Sequence, residues 1–144
     1  MDDLQRQLFT FLLQYDTSLG TLWWVANSLW AENPDFVVKP GEEDNRHPGV
    51  SIKETHPENN MIVPMLLGKS KPSPTYKAVA LKMDDSKDKY GYFGTLCPMN
   101  FTFLSFFNND ILANKKKKLS SADQEKLRDF IKRRLSWQTQ NIRV

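Results

Sequence analysis

Five short apolar runs, none longer than seven residues, are separated by segments rich in Pro, Gly, Asp, Asn and Lys. That spacing confines most of the chain to short strands joined by turns, and so to a small, strongly bent antiparallel sheet or barrel. The runs are Leu22–Val25, Gly49–Ile52, Met61–Leu67, Ala78–Lys82 and Tyr90–Gly94. Pro64 interrupts the third, which predicts a sheet edge or a bulge there. In the fourth, Val79 and Leu81 share a face. Leu96 to Phe107 is dense in aromatics with no readable period, and Asn108 to Lys118 is mostly polar and ends in four lysines.

Helical periodicity occurs at the two ends. Leu4, Leu8, Phe11, Leu12 and Tyr15 recur at helical spacing before Gly20, widened by Phe9 and Leu13. Asp2 and Asp3 suit the positive end of that helix. Near the carboxyl end, Leu127, Phe130, Ile131 and Leu135 form one apolar stripe, preceded by Ser120 and Ser121 as capping residues. Ser121 and Gln124 have capping-box spacing, and Lys132, Arg133 and Arg134 sit where the dipole favours cations. The elements sum to an α+β domain of about five to six strands with a C-terminal helix and an additional N-terminal helix. At 144 residues the chain is read as a single domain: 1–18 the N-terminal helix, 20–107 the barrel and 119–136 the C-terminal helix.

Composition narrows the function classes. Hydrophobic residues make up 40% and charged residues 26%, ordinary values for a chain that buries a core. Cys97 is the single cysteine, which excludes an internal disulfide and fits a reducing compartment. Met1-Asp2-Asp3 is acidic where a secretory signal would be basic, and no apolar run approaches the roughly 20 residues that span a bilayer. The expectation is a soluble cytoplasmic protein with no membrane contact. Charge is uneven: residues 1–60 hold 4 Lys/Arg against 10 Asp/Glu, and residues 61–144 hold 16 against 7. A basic second half suits a polyanion, or neutralises the acidic half on folding.

Most chemistries lack their residues. His47 and His56 are the only histidines, so neither a metal site nor a cofactor is expected. Gly91 and Gly94 have neither the spacing nor the lysine of a phosphate loop. Cys97 before Pro98 reads as packing. One set stands out at the end of the long loop from Asn33 to Asn45: Glu42, Arg46 and His47, just before Pro48 and a strand. A carboxylate, a guanidinium and an imidazole can perform metal-free phosphodiester chemistry on RNA, or can simply decorate an exposed turn.

The order of these elements resembles the MazF/PemK family of bacterial toxin endoribonucleases over roughly Gly20 to Leu135. Gly20-Thr21-Leu22-Trp23-Trp24-Val25 is similar to that family's Gly-Asp-hydrophobic-Trp-Val opening strand. Gly41-Glu42 through Arg46-His47-Pro48-Gly49-Val50 resembles its Glu-containing loop ending in Arg-Pro. Ile62-Val63-Pro64 resembles its Val-x-Pro strand, and Leu119-Ser120-Ser121-Ala122-Asp123 its Leu-Ser-Pro-Glu helix opening. The resemblance implies a small SH3-like antiparallel β-barrel and cleavage of single-stranded RNA by 2′-hydroxyl attack without a cofactor. It also implies a homodimer and an antitoxin partner. In that version Arg46, His47 and Glu42 are catalytic, and Lys69, Ser70, Lys115, Lys116, Lys117 and Lys118 bind RNA, with Trp30 and Tyr76 available to stack bases. The sequence departs from the family at four points. His47, not Arg46, directly precedes the proline, and Leu66 stands where the family has Thr or Ser. The apolar Leu96-Cys97-Pro98-Met99 region replaces its polar Asp-Gln pair, and the N-terminal helix, residues 2–16, has no counterpart in it. The alternative is a non-catalytic barrel that binds nucleic acid or protein.

Overall fold

A strand buried on both faces must carry large apolar side chains at successive positions, because neighbours point to opposite sides. Thr21-Leu22-Trp23-Trp24-Val25-Ala26 meets that condition. In a computed structural model, which describes residues 2–12, 14, 16–33, 36–54, 62–84, 88–95 and 98–134, this segment lies inside the sheet. The elements are α1 (Asp3–Leu12), β1 (Thr21–Ala26), α2 (Asn27–Trp30), β2 (Arg46–Ser51) and β3 (Ile62–Lys69). They continue as β4 (Val79–Asp84), β5 (Lys89–Phe93), β6 (Met99–Thr102), α3 (Phe103–Phe107), β7 (Ile111–Lys118) and α4 (Ser121–Lys132). The expected turn at 56–60, the side chains of Leu8, Phe9 and Leu12, and Leu13, Tyr15, Leu96, Cys97 and Leu135 lie outside what is described.

All pairings are antiparallel, in the order β4-β5-β3-β2-β1-β7, with β6 added to β3. The path curls into a half-barrel. Trp23, Val25, Val63, Met65 and Leu67 fill one core, and Leu22, Val50, Leu66 and Leu81 fill a second. The aromatic stretch that had no readable period supplies the first core. It forms β6 and α3, with Phe101 set edge-on to Trp30 at 5.2 Å and Phe106 edge-on to Trp23 at 5.0 Å. Such geometry suits the ring quadrupoles. α1 lies over α3, where Phe11 meets Phe107 edge-on at 5.5 Å. The second core is covered by α4 through Leu127 and Ile131.

Three expectations change. The sheet does not stop at residue 107, because β7 pairs along β1 from Ile111 to Lys118. Its alternation is hidden by lysines whose stems and ammonium groups are used inside the fold. Pro64 is not at an edge: β6 pairs on one side and Ile52 N–H donates to the Pro64 carbonyl at 3.1 Å on the other. With no N–H of its own, Pro64 cannot return that bond, and the β2–β3 ladder ends there. The helix cap is Ser120, whose hydroxyl accepts from the Asp123 N–H, whereas Gln124 donates to the Leu119 carbonyl instead of completing a box.

β4 and β7 end the strand path, and side chains bridge the seam between them. The Lys82 N–H donates to Asp123 Oδ2 at 2.8 Å, Lys116 Nζ donates to the Lys82 carbonyl at 3.1 Å, and Lys126 Nζ donates to the Ala80 carbonyl at 2.8 Å. An edge strand left bare is a template for unwanted pairing; here three side chains occupy its outer groups. Among the described residues no helix is long and apolar enough to cross a membrane. Asp123→Ala should lower stability by about 1.5–3 kcal/mol, the worth of a hydrogen bond to a charged acceptor. It should also speed exchange of the Lys82 amide hydrogen, while Asp123→Asn, which keeps an acceptor oxygen, should lose less in both measurements.

Candidate active site

Register decides which loop residues can meet. β1 and β2 align Ala26 with Arg46 and Val25 with His47, and consecutive strand residues face opposite ways. Arg46 and His47 therefore diverge. Gly49 lets β2 approach this closely: a Cβ there would lie 3.0 Å from Met65 Sδ and 3.1 Å from the Trp30 ring.

The Arg46 guanidinium is bound by the backbone. Nη1 donates to the Asp110 carbonyl at 2.8 Å and to the Trp24 carbonyl at 3.2 Å, and Nη2 donates to the Asn109 carbonyl at 2.8 Å. It thus ties the α3–β7 turn to β1. Asn109 takes a left-handed φ of 64° in that turn, a conformation asparagine tolerates. The expected phosphate ligand is a structural clamp in this arrangement.

His47 is built differently. Its Nδ1 lies 2.7 Å from Asn27 Oδ1, while Asn27 Nδ2 donates to the Glu42 carbonyl at 2.9 Å. Because the Asn27 amide nitrogen is committed to a carbonyl, its oxygen faces the ring and Nδ1 must carry the proton. Nε2 then holds the lone pair. The Trp30 indole donates to the His47 carbonyl at 3.4 Å, and Phe36 packs edge-on against the imidazole at 4.9 Å. Burial pushes the His47 pKa below its ordinary 6.5, the Lys69 charge pushes the same way, and Glu42 opposes both. The ring is neutral at pH 7, oriented, and next to a cation.

Lys69 arrives by register. Extending the β2–β3 alignment two residues beyond Gly49↔Leu67 sets Lys69 opposite His47. Its ammonium lies 5.9 Å from the Phe36 ring centre and 5.8 Å from that of Tyr76. Glu42, His47, Lys69 and Tyr76 thus belong to one neighbourhood beneath the 36–45 loop. Ser70 follows β3 on an exposed bend. Trp30, an expected base-stacking ring, is fully buried in the first core and cannot stack. Leu66 is equally buried in the second core, which α4 covers.

The four lysines lie elsewhere. Lys118 pairs with Thr21 at the opposite end of β1 from Val25 and His47. Lys116 holds the seam, and Lys118 Nζ donates to Asp16 Oδ2 at 2.7 Å and Ser18 Oγ at 2.8 Å. Lys115 and Lys117 are exposed. Asn27 and Phe36 are the residues that sequence reasoning missed. Asn27 directly follows a strand, and nothing local reveals that its side chain meets His47, 20 positions on. Among the described residues no three His, Cys, Asp or Glu side chains cluster as metal ligands.

Two consequences can be measured. Arg46→Ala should cost about 2–3 kcal/mol in denaturant unfolding, since three carbonyls lose a charged donor, and Arg46→Lys should recover only part because one ammonium cannot span them. The depressed His47 pKa means the unfolded chain binds more protons just below pH 6.5, so stability falls as pH drops through that value toward the folded pKa. His47→Gln should flatten that part of the pH–stability curve. No protein-family model matches the chain, and no curated protein is significantly similar to it.

Proposed function

We propose that this protein is a metal-independent endoribonuclease of the MazF/PemK kind, on an SH3-like barrel, in which His47 and Lys69 carry the reaction and Arg46 supports the scaffold. The observation that carries this reading is the orientation of a neutral imidazole by Asn27 beside the Lys69 ammonium. Cleavage of single-stranded RNA needs a base for the 2′-hydroxyl and positive charge for the crowded phosphate. His47 Nε2 takes the 2′ proton, the 2′-oxygen attacks the adjacent phosphorus, and Lys69 stabilises the charge that builds on the phosphoryl oxygens. The P–O5′ bond breaks to leave a 2′,3′-cyclic phosphate. The imidazolium, favoured by the Glu42 charge, returns its proton to the departing 5′-oxygen. Tyr76, half-buried beside Lys69, offers a ring for a flanking base. The same reading implies a cytoplasmic homodimer restrained by an antitoxin protein.

One observation favours a second reading. With Arg46 held by three carbonyls and Leu66 buried, neither of these positions contributes a group to the phosphate. The same scaffold would then bind RNA without cutting it. Long RNA incubated with the purified protein and excess chelator should be cleaved to cyclic-phosphate ends. His47→Ala should reduce the rate by about 10²–10⁴-fold, the usual worth of a general base, with RNA binding retained. Salt-dependent binding with intact RNA at high protein concentration would select the binding module instead.

A further inference from the structure

The strand order sends the two loops at His47 to opposite sides of it. β2 pairs with β1, and the end of β3 pairs with β5, so the loop entering β2 and the segment leaving β3 diverge. The 36–45 loop is tied to the β1–α2 side: the Asn27 N–H donates to the Asn45 carbonyl at 2.8 Å and the Ser28 N–H to the Glu43 carbonyl at 3.2 Å. The 70–77 segment is tied to the β5 side. There the Gly94 N–H donates to the Leu67 carbonyl at 3.0 Å, and a Cβ on residue 94 would collide with the Lys77 carbonyl.

The two sides carry opposite charge. Residues 36–45 hold Glu42, Glu43 and Asp44 against the single cation Lys39, whereas residues 69–77 hold Lys69, Lys71 and Lys77 with no carboxylate. Glu42, Glu43, Asp44, Lys71 and Lys77 are all exposed. Neither Lys71 nor Lys77 has an ion-pair partner among the described residues. The basic side is also shaped in advance. Pro72 and Pro74 flank Ser73, whose hydroxyl accepts from the Thr75 N–H at 3.0 Å and the Tyr76 N–H at 3.3 Å. That turn sets the partly exposed Tyr76 beside Lys69. A surface segment stiffened by prolines and a side-chain turn has little freedom left to lose on binding.

We infer that this split cleft selects one strand: Lys71 and Lys77 take phosphates of the chain whose base lies on Tyr76, and Glu43 and Asp44 repel the second backbone of a duplex. The inference rests on the reading that places the scissile phosphate between His47 and Lys69. A single strand reaching that point lays its backbone on the lysine side alone, with its bases free to unstack. A duplex brings a paired strand whose phosphates meet the carboxylates, and its stacked bases are closed to Tyr76.

Binding of the full chain to a short 2′-O-methylated RNA, alone and annealed to its complement, tests this without cleavage, because the nucleophile is blocked. The single strand should bind at least about 10-fold more tightly than the duplex. Lys71→Gln with Lys77→Gln should weaken single-strand binding and flatten its log–log salt slope by about 1.4, the share of two phosphates, while Lys115→Gln with Lys117→Gln should leave the slope unchanged. Tyr76→Ala should weaken the single strand about 5- to 100-fold at an unchanged slope. Glu43→Gln with Asp44→Asn should tighten the duplex about 3- to 10-fold and the single strand by less. Equal binding of the two forms by the unaltered protein, or no binding of either at about 0.1 mM, would overturn the assignment. So would a salt slope that answers to Lys115 and Lys117 instead, or an acidic-side variant that tightens both forms alike. Cleavage of unmodified RNA, assayed in parallel, separates the two readings: intact RNA with these preferences present sinks the reaction alone, and cleavage with them absent sinks the strand selection alone.

Discussion

The structure depends on two strands that are apolar on both faces. β1 and β3 send alternate side chains into two separate cores, Trp23, Val25, Val63, Met65 and Leu67 to one and Leu22 and Leu66 to the other. A one-residue slip in either strand would exchange these sets and bring chains of the wrong shape against α3 and α4. That requirement fixes the register of β2 between them, and hence the direction in which each residue of the Arg46-His47-Pro48 sequence points. The helices, the loop over His47 and the seam at β4 are all fitted to that central pair.

The same alternation assigns the chemistry. The residue directly before the proline faces the Phe36–Lys69 neighbourhood, and the one before it turns toward the carbonyls of the α3–β7 turn. Arg46 is therefore a brace between strands, and His47 is the residue that faces the loop. His47 is half-buried in that register, with its imidazole oriented by Asn27. Lys69, opposite it on β3, brings an ammonium to the same neighbourhood, so imidazole and cation come from different strands instead of from one loop.

Much of the frame was legible in the sequence. The first five strands and both long helices were carried by period and turn residues, because each signal is local. β7 was not legible, since Lys116 and Lys118 serve the fold through their ammonium groups and read in sequence as solvated charge. Nor was the half-open seam, where bonds from Asp123, Lys116 and Lys126 replace a ladder. Glu42, His47 and Lys69 were named as candidates, but their association, and the separation of Arg46 and the lysine run from it, depended on strand register. Asn27 and Phe36 carried no local mark at all, because their significance lies in a partner distant in sequence.

The central claim is that His47 is a neutral, Nδ1-protonated imidazole held ready beside Lys69. Nitrogen-15 NMR of the histidine ring reads both properties at once. The account predicts the Nδ1–H tautomer at pH 7, a titration midpoint below 6.5, and a shift of the Nε2 resonance when an RNA blocked by 2′-O-methylation is added. An Nε2–H tautomer, a midpoint at or above 6.5, or a ring indifferent to the blocked RNA would contradict it.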